Sequence, residues 1–141
     1  MRSVTFRAFG HENIIGDHKT TLELTSESFL TKRGTCIIGI NSDMTLDRFD
    51  DDIKLLATSQ DTEIQLTISI DGHTTVITGH GSTGLTYSNN VSMVVRTSSF
   101  ECPRTLMVGA DKAASDIDRE IITLLRDPER EIHCKISYIK Q

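Results

Sequence analysis

Apolar and polar residues alternate along much of the chain. Val4, Phe6 and Ala8 are separated by Thr5 and Arg7, and Leu22 and Leu24 sit among Thr21, Glu23 and Thr25. Both stretches read as half-buried strands. Asn13, Gly16 and Asp17 supply turn chemistry between them, and a loop of about five residues keeps the two apolar faces in phase. That register sets Leu24 opposite Phe6, Leu22 opposite Ala8 and His18 opposite Glu12 on the inward side, and turns His11 outward.

Further on, Ser26 and Gly34 bracket a short helical turn, "TCIIGI" reads as a buried strand, and Leu46, Phe49, Ile53 and Leu56 fall at helical spacing. Asp50, Asp51 and Asp52 suit the start of that helix, where its dipole favours negative charge. Ile64, Leu66, Ile68 and Ile70 then recur at period two up to Asp71-Gly72, a type I′ turn signal, so "TEIQLTISIDGHTTVITG" is a hairpin. "SMVVRTS" and "RTLMVGA" are strands, and "DKAASDIDREIITLLRDP" predicts the longest helix, with Asp111 as N-cap and Pro128 as terminator. "EIHCKISYI" closes the pattern as a strand with Ile132, Cys134, Ile136 and Tyr138 on one side.

The sum is about eight strands in hairpin-like succession with two helices inserted, and no regular βαβ alternation. The expected architecture is mainly β: an antiparallel β-sandwich, jelly-roll-like, with two α-helices at its edges or ends. A chain of 141 residues suits one domain, and no segment repeats recognisably.

Composition narrows the function classes. The longest apolar runs fall far short of the ~20 residues a membrane helix needs, and the N-terminal stretch alternates rather than forming a signal-peptide block. A cytoplasmic location is expected. Cys36, Cys102 and Cys134 are an odd number at wide spacing with no metal-type pair, so reduced thiols and no metal site are expected. A formal net charge of −5 argues against broad adhesion to nucleic acid and leaves room for a local basic patch.

HExxH, GxSxG and P-loop motifs are all missing. The catalytic candidates are therefore Glu12, His18, His80 and His11, which act together only if two strand ends meet in space. The hairpin register pairs Glu63 with His80, and the flanking Gly79 and Gly81 leave room for a ligand or for backbone to approach. A second set is Arg33, Arg104, Asp111 and Lys112, with the last two at a strand-to-helix junction whose free N–H groups suit an anion.

The motifs "GHENIIGDHKTTLELT", "LTKRGTCIIGI", "TGHGSTGL", "MVVRTS" and "RTLMVGADKAASDIDREIITLL", in that order over nearly the whole chain, resemble the archaeal family catalogued as domain of unknown function 371. The resemblance implies a single-domain, β-rich sandwich and no particular activity or cofactor. Three roles follow from these residues. First is a non-enzymatic binding module for a small anionic ligand, RNA or a protein partner; second, a hydrolase or other acid–base enzyme using Glu12, His18 and His80, with or without a metal ion; third, a structural or assembly protein that pairs with itself or with a larger complex.

Overall fold

The computed structural model describes residues 1–141. In chain order the elements are β1 (Arg2–Phe9), β2 (Thr21–Thr25), β3 (Ile37–Gly39), α1 (Asp51–Ala57), β4 (Thr62–Ile70), β5 (His73–His80), β6 (Ser92–Arg96), β7 (Thr105–Met107), α2 (Arg119–Leu125) and β8 (Glu131–Lys140). They build two four-stranded sheets, β1-β8-β4-β5 and β3-β2-β6-β7. The result is the expected mainly β sandwich with two helices. Its second sheet adds two parallel pairs, β2 with β3 and β6 with β7, which an all-antiparallel jelly roll does not have.

Alternation decides which faces meet. Ile64, Leu66, Ile68 and Ile70 of β4 are buried, and Ile64 lies opposite Tyr138, Leu66 opposite Ile136 and Ile68 opposite Cys134 of β8. Leu22, Leu24, Met93 and Val95 approach from the second sheet and join one core cluster of 34 buried residues. Each large side chain in it contributes roughly 1.5–3 kcal/mol. The hairpin forms as expected, with Asp71 at φ 48° and Gly72 at φ 81°, and Glu63 pairs with His80.

Three expectations are corrected. β1 and β2 do not form a hairpin: β1 pairs along its length with β8, setting Phe6 against Cys134 and Ala8 against Ile132, while β2 joins the other sheet. An apolar partner far along the chain satisfies β1 better than its sequence neighbour. The stretch from Ser26 to Gly34 is not helical; it belongs to the crossover that returns the chain for the parallel pairing of β3 with β2. The two long helical patterns each break in two, a 3-10 turn (Leu46–Arg48 or Ala114–Asp116) followed by α1 or α2. At each break an apolar residue with extended backbone, Phe49 or Ile117, turns into the core, and an aspartate, Asp50 or Asp118, precedes the helix proper.

The structure carries a repeat that the residues conceal. The order strand, strand, strand, 3-10 turn, helix, strand runs twice, from β1 to β4 and from β5 to β8. Isolated bridges pin matching edges, Phe9 to Ile40 and His80 to Val108. Left-handed backbone recurs at matching points, Gly16 with Tyr87 and Asn41 with Gly109. Side-chain clamps match as well, since Asp43 accepts from Arg7 N and Asp111 from Thr78 N, both at 2.9 Å. Each carboxylate satisfies an N–H on an edge strand of the first sheet, which would otherwise lie open to pairing with another chain.

Gly10 and Gly81 are the tightest of these matched points. A Cβ on Gly10 would sit 2.3 Å from Leu125 O, and one on Gly81 2.4 Å from Ala57 O, the carbonyls that end α2 and α1. Gly10→Ala and Gly81→Ala are each expected to cost about 3 kcal/mol in urea denaturation. Gly72→Ala, with nothing within 4 Å and only its positive φ to oppose it, should cost about 1 kcal/mol.

The core holds one polar chain. The Tyr87 hydroxyl donates to Leu106 O at 2.7 Å and accepts from the Tyr138 hydroxyl at 2.8 Å. Burial pushes both phenols upward, so neither ionises near neutrality. Tyr87→Phe leaves the Tyr138 hydroxyl without a partner and should destabilise by about 1–3 kcal/mol, more than Tyr138→Phe, which leaves the bond to Leu106 intact. Thermal melts of the two variants order these effects.

Candidate functional site

The segment after β1 runs beside α2. His11 N donates to Leu125 O at the end of the helix, and Arg119 at its start donates to Gly16 O at 2.9 Å. Seven helical residues, roughly 10 Å, thus lie between the stretches that carry Glu12 and His18. The expected Glu12–His18 pair is not made. His18 Nδ1 instead accepts from the N–H groups of Thr20 and Thr21, both at 3.2 Å, and His11 Nδ1 from that of Asn13 at 2.9 Å. Glu12 is exposed.

His80 lies at the opposite end of the first sheet from Glu12. Phe9 is level with Glu131 of β8, and Glu63, the partner of His80, is level with Ile139. At ~3.3 Å per residue that is roughly 26 Å along the strand, so these groups share no acid–base centre. The ring of His80 places Nδ1 2.8 Å from Gly81 O, and since a carbonyl only accepts, Nδ1 carries a proton. Nε2 packs over Gly109, where a Cβ would come within 2.6 Å. Around it an open cleft of about 400 Å³ is lined by Gln60, Asp61, Glu63 and Thr78. The flanking glycines admit backbone: a Cβ on Gly79 would meet Val108 O at 2.7 Å, as Gly81 meets α1.

The second set disperses too. Asp111 clamps β5 and Lys112 donates to Val76 O at 2.7 Å. The junction they occupy is not a helix start, because α2 begins at Arg119 and is capped by Asp118, which accepts from Glu120 N at 3.0 Å. Arg104 lies 3.5 Å from Glu23, whose side chain is only 10% exposed. Arg33 is exposed on the crossover after β2 with no ion-pair partner. No three His, Cys, Asp or Glu side chains converge tightly enough to hold a metal ion.

Two clusters take their place. On the outer face of the second sheet, Cys36 donates to Glu23, while Arg96 donates to Thr105 Oγ1 at 2.9 Å and to Cys102 Sγ at 3.3 Å. Partial burial opposes ionisation of Cys102. Hydrogen bonds from Thr105, the Arg104 backbone and Arg96, with the guanidinium charge, outweigh it and bring the thiol down to about 7. Burial, then the nearby Glu23 carboxylate, push Cys36 up to about 11, and burial pushes Cys134 up to about 12.

The other cluster lies on the outer face of the first sheet. A groove of about 460 Å³ is lined there by Thr5, Arg7, Asp43, Thr67, Ser69, His133 and Lys135. Thr5 and Thr67 flank Lys135 across the pleat, and Arg7 and Ser69 flank His133. Arg7 reaches Asp43 at 3.4 Å and Glu131 at 3.6 Å, and His133 reaches Glu131 at 3.5 Å. Alternation in "EIHCKISYI" already turns His133 and Lys135 outward; only the pairing of β1 with β8, which brings Arg7 alongside, is hidden from it.

Fold and surface together define a small two-sheet β protein with polar clusters on both outer faces and no helix long and apolar enough to cross a membrane. The chain belongs to the family described as domain of unknown function (DUF371), whose model matches residues 6–139. It is 40% identical over 121 residues to the uncharacterized protein MJ0206 of Methanocaldococcus jannaschii, a match spanning 86% of this chain and 89% of that one.

Alkylation should separate the three thiols. With Cys102 at about 7, its reaction with iodoacetamide should rise with pH through a midpoint near that value, while Cys36 and Cys134 stay largely unmodified at neutrality. Peptide mass mapping reads the order. Arg96→Ala should move the Cys102 midpoint upward.

Proposed function

We propose that this protein is a non-enzymatic binding module for a small phosphate-bearing anion, held on the outer face of the first sheet. The observation that carries this reading is Lys135. Its side chain lines the groove, flanked in register by Thr5 and Thr67, with no acidic partner, whereas Arg7 and His133 beside it are steered by Asp43 and Glu131. An unpaired cation among hydroxyl donors matches the acceptor oxygens of a phosphate, and charge-assisted hydrogen bonds are the strong ones. The separation of Glu12 from His80 supports binding over the acid–base alternative. We further propose a cytoplasmic location for a one-domain protein, which three unpaired thiols support.

Titration calorimetry with inorganic phosphate and pyrophosphate tests the reading. Binding is expected, tighter for pyrophosphate. Lys135→Ala should weaken it roughly tenfold or more, a loss in keeping with one charge-assisted hydrogen bond, while Arg33→Ala leaves it unchanged. No heat with either anion, or equal affinity in the Lys135 variant, refutes the proposal.

A further inference from the structure

Two phenylalanines stand out from the surface at matching places in the repeat. Phe29 is 64% exposed and Phe100 58%, while Phe6 and Phe49 are in the core and Phe9 is half-buried. Phe29 lies four residues past the end of β2 and Phe100 four past the end of β6, on the crossovers that lead to β3 and β7. Each crossover ends against the outer face of the second sheet, where Cys36 reaches Glu23 and Cys102 reaches Arg96. Glu23 and Val94, paired there and turned away from the core by the pleat, are buried nonetheless, and Val94 has no place in the main core cluster.

One ring carries a cation against it, and both crossovers are rich in cations. Arg96 stacks its guanidinium 4.7 Å from the centroid of Phe100. Lys32 and Arg33 follow Phe29, and Arg104 follows Phe100. Against these four cations the crossovers carry two carboxylates, Glu27 and Glu101, and the sheet beneath adds Glu23, which pairs with Arg104 at 3.5 Å, in a chain of formal net charge −5. Glu101 is turned away to Ser82 and the N–H of Gly84. Exposed rings with cations interleaved are what unpaired bases and their phosphates require: each base stacks on a ring and each phosphate meets a charge. An apolar protein partner would need no such charge, and a duplex has no free base faces to offer.

From this pairing of rings and cations we propose that the outer face of the second sheet binds single-stranded nucleic acid, with Phe29 and Phe100 as stacking platforms and Lys32, Arg33 and Arg96 as phosphate contacts. The surface is separate from the groove around Lys135, which faces the other way.

Fluorescence anisotropy with a labelled single strand of about twelve nucleotides tests it. Binding is expected at about 50 mM salt, with a loss of roughly tenfold or more by about 200 mM. Phe29→Ala and Phe100→Ala should each weaken binding by about tenfold, Phe100→Trp should keep it, and Lys135→Ala should have no effect. Thermal melts verify that the exposed-ring variants fold. Any one of three results overturns the proposal: no binding at low salt, alanine variants that bind as the parent does, or a duplex of the same sequence that binds as tightly.

Discussion

The structure depends on a backbone-to-backbone approach made twice. Where β1 ends, Gly10 packs directly on the carbonyls that close α2, and where β5 ends, Gly81 packs on those that close α1. The same contacts hydrogen-bond His11 N to Leu125 O and Ser82 N to Ala57 O. Each helix is only seven residues long and would not hold its shape alone in water. Seated against a strand end, it closes one end of the sandwich and fixes where the following strand, β4 or β8, enters the first sheet. A side chain at either glycine would lift the helix off and unseat that strand.

Much of this fold was legible in the sequence, and what was not has a physical reason. Period-two alternation located the strands and turned Ile64 to Ile70 inward, and Asp71-Gly72 specified the hairpin and with it the Glu63–His80 pairing. Alternation says which face is apolar but not which strand it meets, so it suits β2 as a partner for β1 as well as it suits β8. Helical spacing at Leu46, Phe49 and Ile53 proved ambiguous, because a 3-10 turn and one extended residue bury the same side chains. The repeat escaped because few residues are kept between the halves and one crossover is three residues longer than the other.

The candidate site was the least legible part. Glu12, His18 and His80 drew attention by residue type, yet their polar atoms serve local turns or lie apart, and Asp111 and Lys112 hold an edge strand. A polar residue beside a glycine in sequence marks a tight backbone corner as readily as a ligand. The clusters that do form, Lys135 with the hydroxyls of Thr5 and Thr67 and Glu23 with Cys36 and Arg104, collect side chains from strands or crossovers far apart in the chain. The frame is duplicated but its chemistry is not. Lys135 corresponds to Thr67, its own cross-strand partner, so a single charge sits where the two halves meet.

The Asp71-Gly72 turn joins those halves, and their strands interleave: β1 and β4 from one alternate with β5 and β8 from the other in the first sheet. Neither half has a complete sheet of its own, so without the turn the protein would be an intertwined association of two peptides, governed by their concentration. Two residues make that encounter intramolecular, and an entropic cost that two free chains would meet at every association becomes the closure of a very short loop. The turn lies at the surface and contributes little to the core, yet it makes folding a first-order process.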